Sequence, residues 1–303
     1  MRGIPVMVSV VIPVHNRAGL VEEAIRSVLG QRGIRPEIIV VDDGSDDATP
    51  EVLKRFGSAV TVIRQERRGV SAARNRGARA ASNPWLAFLD SDDLWLSEKL
   101  AEQTAYLRRH PELEICQTDE IWIQDGRRRN PGRRHEKPQG HCFSRLLERC
   151  LVSPSAVMIR RSLFEAVGGF DEALPACEDY DLWLRIGWRH PIGLVRKPLV
   201  VKRGGHPDQL SRTVPALDRF RIRALEKLLR GTPLSLDQRH LALEVFQEKC
   251  RVYGSGCLKR GKTAEGTAVL SLPFQVAEEL GLSPADAVQA GGGSDEQTLF
   301  SSS

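Results

Sequence analysis

The sequence predicts an α/β protein built on a mostly parallel sheet flanked by helices, and three observations in its first 95 residues carry that reading. Apolar runs ("MVSVVIPV", "EIIVV", "WLAFL") are nearly continuous, as in strands covered on both faces. Between the first two lies "AGLVEEAIRSVLGQ", where Leu20, Val21, Ala24, Ile25, Val28 and Leu29 share one helical stripe opposite Glu22, Glu23 and Arg26. The second run begins about 30 residues after the first, the length of a βαβ unit with its right-handed crossover. A short helix around "DATPEVLKRF", the strand "VTVIRQ" and the helix "VSAARNRGARAA" continue the alternation up to "WLAFLD".

At 303 residues the chain can bury a sizeable core, and 41% hydrophobic with 27% charged residues is ordinary for a globular protein. A net charge of +5 suits an anionic ligand or surface without pointing to nucleic acid. Apolar runs all fall short of the ~18 residues of a membrane span. "MRGIPVMVSVVIPVHN" is interrupted by Ser9, Pro13 and His15, so it reads as a strand and not as a signal peptide. Six cysteines without a C-x-x-C pair favour reduced thiols and a cytoplasmic protein, one that contacts the inner face of a membrane peripherally at most. A zinc site at His141, Cys142 and Cys150 fits no common spacing.

Polar clusters fall where open α/β sheets bind ligands, at the carboxyl ends of the parallel strands. His15 and Asn16 follow the first strand, Asp42 and Asp43 the second, and Asp90, Asp92 and Asp93 the strand "WLAFL". Three carboxylates within four positions repel one another and require a positive partner. If the strand persists, Asp90 and Asp92 point the same way. Helix capping explains Asp46 or Asp47 but not this crowding. A calcium loop is excluded, because the sixth position from Asp42 or Asp90 is Asp47 or Trp95 where glycine is needed. No G-x-G-x-x-G follows the first strand, which disfavours a dinucleotide fold. A pyrophosphate would then be held by a metal ion at residues 90–93.

In order, the motifs "VSVVIPVHNR", "VVDDGSDD", "GVSAARNRG", "FLDSDD", "GGFDE" and "CEDYDLWLR" resemble family 2 glycosyltransferases of GT-A fold, over roughly residues 8 to 212. The resemblance implies an inverting transfer of a sugar from a UDP- or dTDP-linked donor. It places Pro13, His15, Asn16, Asp42, Asp43, Arg74, Asp90, Ser91 and Asp92 around the nucleotide. Asp43 would accept a hydrogen bond from the base, and Arg74 would reach toward the nucleotide. His15 departs from the tyrosine often found at its position. Asp92, Asp93 and His206 would hold Mn²⁺ or Mg²⁺, with the direct ligand among Asp92 and Asp93 left open; such ions prefer hard oxygen donors. Asp179 would be the general base, with Glu178 as helper, against the plainer reading of both as helix-capping charges. Arg203 and Arg212 would face phosphate.

"GCLKRGKT" matches a phosphate-loop pattern, but its preceding segment reads as helix where a strand is required. Residues 216–285 read as packed helices resembling a tetratricopeptide hairpin. The five arginines in residues 127–134 form a solvated insertion on the acceptor side, or meet an anionic acceptor or anionic lipid; without interleaved aromatics they do not suggest RNA. The expected organisation is a catalytic domain at 1–212, a helical region at 213–287 and a disordered tail at 288–303. The expected partners are the nucleotide-sugar donor and a saccharide, lipid-linked or protein acceptor. The alternative function is a nucleotide-sugar or polyanion binder that keeps the fold without turnover.

Overall fold

The computed structural model describes residues 6–130, 132–205 and 214–282. The chain forms two compact units, residues 1–220 and 221–303. In the first, β1 (Val8–Val14) and β4 (Trp85–Phe88) are buried at every position, and β2 (Glu37–Asp43) at all but the first. The apolar runs thus become covered strands, as parallel packing between helical layers requires. With β3 (Thr61–Gln65) at one edge, the order β3-β2-β1-β4 is wholly parallel.

Beyond β4 the sheet becomes mixed. β8 (Met158–Arg160) pairs antiparallel with both β4 and β6 (Ile115–Gln124), and β6 runs parallel to β9 (Gly193–Gly204). The two-residue β5 (Leu94–Trp95) closes the order on β9, and β7 (Arg127–Arg129) pairs with the end of β6. The expected α/β class holds, and the arginine run is partly ordered as the second strand of a hairpin.

Helix α1 (Ala18–Leu29) buries Val21, Ala24, Ile25 and Val28 of the expected stripe, whereas Leu20 is half-buried and Leu29, at the helix end, is exposed. α2 (Thr49–Lys54) follows β2, and α3 (Val70–Ala80) lies against β1 and β2. A Cβ at Gly77 of α3 would stand 2.3 Å from Val11 Cγ1, so only glycine allows this approach of helix to sheet. α4 (Lys99–Arg109), α5 (Phe143–Glu148), α6 (Arg161–Ala166) and α7 (Glu178–Gly187) complete the unit. α8 (Asp218–Gly231) contains the boundary between the units.

In the second unit, α9 (Leu236–Lys259) opens on a capping box between Ser235 and Gln238. It packs on α10 (Thr263–Glu279) where Gly254 and Gly266 bring the two backbones together. The phosphate-loop look-alike is the end of α9, its turn and the start of α10. None of the described helices is long and apolar enough to cross a membrane.

Candidate active site

The strand conformation ends at Phe88, and residues 90–93 form a tight turn closed by the Asp93 N–H on the Asp90 carbonyl (2.9 Å). The three carboxylates therefore diverge, which corrects the expectation that Asp90 and Asp92 continue one strand face. Asp90 pairs with Arg74 (2.6 Å), and Asp92 pairs with Arg17 (2.8 Å). Asp93 is buried: Ser155 Oγ donates to its Oδ2 (2.6 Å) and the Arg203 N–H to its Oδ1 (2.9 Å). Burial, and then the Asp92 and Asp90 charges, push the Asp93 carboxyl up to about 8. Ser91 is buried as well. Arg203, expected to face phosphate, instead binds the Asp92 carbonyl and Glu23. His206 and Arg212 lie outside the described residues.

At the ends of β1 and β2 the polar residues build the loops themselves. The Asp42 carboxylate accepts from the Ser45 N–H (2.9 Å). Asp43 accepts from Gln65 Nε2 (2.7 Å) and from the N–H groups of Arg68 and Gly69 (2.8 Å each). His15 Nδ1 is 3.0 Å from the Asp43 carbonyl. Asn16, at φ +50°, exchanges hydrogen bonds with Asp46, and Pro13 lies buried within β1. These residues form one rim beside the 90–93 turn.

The "ED" motif opens α7, after Cys177 turns the chain at φ +60°. Its first turn carries three carboxylates with different fates. Glu178 is buried against Arg74 (2.7 Å), and desolvation outweighs that pairing to raise its carboxyl above the usual range. Asp181, also buried, pairs with Arg185 (2.6 Å), which donates in turn to the Val167 and Gly169 carbonyls. Asp179 stays partly exposed; it accepts from the Tyr180 N–H (2.7 Å) and the Cys150 thiol (3.3 Å), neither of them a cation.

Arg74 links these parts. Its side chain is only 4% exposed and forks between Asp90 and Glu178 while lying over the Phe170 ring (4.9 Å). Both carboxylates hold the guanidinium above its ordinary range despite its burial. The neighbouring Asn75 pins "GGFDE" to α3, donating to the Phe170 carbonyl (2.8 Å) and accepting from its N–H (2.9 Å). Two motifs about a hundred residues apart thus meet on one helix.

Sequence reasoning missed Lys202, Arg17 and Glu120. Burial pushes Lys202, on β9, down, but the charges of Glu120, Asp93, Asp90 and Asp179 outweigh it and hold the ammonium above the ordinary lysine range, so it is a counter-charge of the acidic cluster. Its signal was a lysine ending an apolar strand in "VVKRGG", overshadowed by Arg203 and His206. Asp90 and Asp92 offer hard oxygens with 26% and 13% of their side chains exposed. That donor chemistry fits Mg²⁺ or Mn²⁺, which takes one or two carboxylates together with substrate phosphates. Asp93, with both oxygens bound inside the protein, serves the turn.

The family model "Glycosyl transferase family 2" matches residues 9–168, and "Glycosyltransferase like family 2" matches residues 141–200. An uncharacterized glycosyltransferase of Rickettsia typhi is 30% identical over 184 residues, which cover 59% of this chain and 58% of the relative. The UDP-Glc:α-D-GlcNAc-diphosphoundecaprenol β-1,3-glucosyltransferase WfgD of Escherichia coli is 30% identical over 188 residues, 59% of this chain and 69% of that protein. Among solved structures, S. aureus TarS 1–349 in complex with UDP-GlcNAc superposes with a TM-score of 0.73 at 18% identity, over 89% of this chain and 81% of that one. The mannosyltransferase PcManGT of Pyrobaculum calidifontis, in complex with GDP-Man and Mn²⁺, gives 0.56 at 19% identity, over 94% and 79%. The chain has the GT-A fold and belongs to glycosyl transferase family 2.

Proposed function

We propose that residues 1–212 form the catalytic domain of an inverting, metal-dependent glycosyltransferase. It moves a sugar from a UDP- or dTDP-linked donor to a hydroxyl of a saccharide or lipid-linked acceptor. The observation that carries this reading is the Arg74 fork, which fixes Asp90 and the "ED" turn of α7 around one site. The UDP-GlcNAc in TarS and the UDP-Glc in the name of WfgD favour a uridine donor. The GlcNAc-diphosphoundecaprenol in that name favours a lipid-linked acceptor.

Asp90 and Asp92, with His206 as a further candidate, would hold Mn²⁺ or Mg²⁺; when bound, the ion neutralises the departing diphosphate. Asp43 and the β1 rim bind the nucleoside. Asp179 removes the proton of the acceptor hydroxyl as the new bond forms between that oxygen and the anomeric carbon. The bond from that carbon to the phosphate oxygen breaks on the opposite side. Of the three α7 carboxylates, Asp179 suits this task because Glu178 and Asp181 are buried against arginines. Lys202, within electrostatic reach of Asp90 and Asp179, keeps the cluster from accumulating unbalanced charge.

A panel of nucleotide sugars incubated with Mn²⁺ and read as released nucleoside diphosphate tests the reading. Release from a UDP- or dTDP-sugar, abolished by EDTA, is expected; silence across the panel with every acceptor tried rejects it. Asp179→Asn should reduce transfer by ~10²–10⁴-fold and leave UDP binding intact, since the amide keeps the shape but cannot take a proton. Near-wild-type transfer by this variant would remove Asp179 from the role.

A further inference from the structure

Between β6 and the segment that follows β7 lies a cavity of about 330 Å³, lined among others by Asp119, Glu120, Trp122, Arg133, His135 and Glu136. It lies at the small end of ligand pockets, which run from roughly 300 to 1,000 Å³. Glu120 and Trp122 are two residues apart on β6 beyond its bulge, and so share a face. Arg129 stands opposite Trp122 in the β6–β7 ladder, on that same face. The walls are set: Trp122 Nε1 donates to Glu120 Oε2 (2.8 Å), Lys137 pairs with Glu120 (3.0 Å), and the His135 ring meets the Trp122 ring edge-on at 5.2 Å. His135 Nδ1 is buried and has no hydrogen-bond partner among the described residues. A buried polar atom of that kind needs an explanation, and a turn of the ring toward a ligand hydroxyl would supply one.

We propose that this cavity binds one neutral pyranose ring of the acceptor, its C–H face against Trp122 and its hydroxyls on Asp119, His135 and Glu136. The proposal rests on the glycosyltransferase reading and names the acceptor subsite of that enzyme. An aromatic wall with polar groups at its rim matches a sugar ring, which is apolar across one face and hydroxylated at its edge. An anion inside the cavity would meet the carboxylates of Asp119, Glu120 and Glu136, and Lys137 there is already paired with Glu120, so an anionic group belongs outside it, on Arg129. Position agrees as well: Trp122 stands beside Lys202 in the β6–β9 ladder, and the Asp179 charge reaches the ammonium of that lysine. A ring seated here belongs to a neighbouring saccharide unit or carries the attacking hydroxyl toward Asp179.

Two sources could supply such a ring, a free glycan or a sugar diphosphate lipid. Titration calorimetry on the full chain, without any donor, would use three kinds of probe: methyl pyranosides of the gluco, galacto, manno and N-acetylglucosamine series, their decyl diphosphate conjugates, and decyl diphosphate alone. At least one pyranoside is expected to bind. Trp122→Ala and His135→Ala should weaken that pyranoside and its conjugate by about tenfold, while UDP and decyl diphosphate change by less than twofold. A conjugate bound at least tenfold more tightly than its methyl pyranoside, with the advantage lost in Arg129→Gln, assigns the lipid-linked source; equal affinities assign the free glycan. Trp122→Phe keeps a stacking surface and should retain most of the affinity, which separates loss of contact from misfolding. The proposal is overturned if every pyranoside fails to bind at millimolar concentration, or binds equally well to the wild type and both alanine variants. Sugar binding that depends on Trp122, in a protein that releases no nucleotide from any donor, would instead reject the transferase reading and leave the cavity assignment standing.

Discussion

Lys99 is a buried residue whose charge depends on pH near neutrality. It is fully enclosed, with its ammonium 3.8 Å from the Trp95 ring centroid and donating to Gln103 Oε1 (2.8 Å). Burial pushes it down from 10.5 to about 7. Between those values the unfolded chain holds a proton that the folded chain has released, so this group makes stability rise with pH from about 7 to about 10.5. Below pH 7 the folded protein carries a buried charge at full cost. Lys99→Met should therefore be more stable than the wild type at pH 6.5, by on the order of a few kcal/mol at most, and melt higher, with the gap narrowing toward pH 10. Thermal melts at the two pH values check this, and a gap that widens with pH contradicts it. At the same scale, the two aspartates of the 90–93 turn should separate. Asp92→Asn is expected to remove most of the Mn²⁺ dependence of UDP binding. Asp93→Asn, whose partners are Ser155 and the Arg203 N–H, should bind UDP within a few-fold of wild type in calorimetry.

At the level of elements, α3 is a platform whose distance from the sheet fixes the site. Gly77 lets it settle on Val11 of β1, and Arg74 and Asn75, one turn earlier, then reach Asp90, Glu178 and Phe170. Gly77→Ala places a methyl against a core valine and should cost about 1–3 kcal/mol, as overpacking does. Val11→Ala in the same chain makes room, so the double variant should lose less stability than the two single losses added together. Additive losses in denaturant unfolding would show that the helix and strand do not meet there. Part of this was legible: "VSAARNRGARAA" reads as a helix, and it is one, but the sequence does not reveal which strand residue the glycine must clear.

Across the first unit, Arg74 joins the parallel half of the sheet to the mixed half through α7. Removing it leaves buried Glu178 without its ion-pair partner and Asp90 with only the less direct charges of Lys202 and Arg17, and breaking buried ion pairs costs about 3–5 kcal/mol. For Arg74→Met this corresponds to a loss of roughly 10 °C in Tm. Arg74→Lys keeps the charge but not the planar fork, so it should fall between methionine and wild type. On the proposed mechanism, nucleotide-sugar turnover should be lost in both variants even below their melting temperatures, because the proposed base and diphosphate site lose their common anchor. Retained turnover in Arg74→Lys would show that the fork is dispensable.

Much of this protein was readable from its residues in order. Apolar runs of strand length and helical stripes between them dictate an α/β sheet, because local periodicity decides which faces are buried. The clustering of Asp42, Asp43, Asp90 and Asp92 at strand ends follows from the same alternation. What the chain could not announce were contacts closed by long-range packing. Asp90, Asp92 and Asp93 look equivalent in sequence, yet a turn sends them to Arg74, to Arg17, and to Ser155 with the Arg203 backbone. Lys202 becomes a counter-charge of the acidic cluster only because β9 lies beside β6. Glu178, Asp179 and Asp181 differ only through what burial pairs them with. Secondary structure is written in local patterns, whereas the charge state and partner of a side chain depend on the distant groups that fold against it.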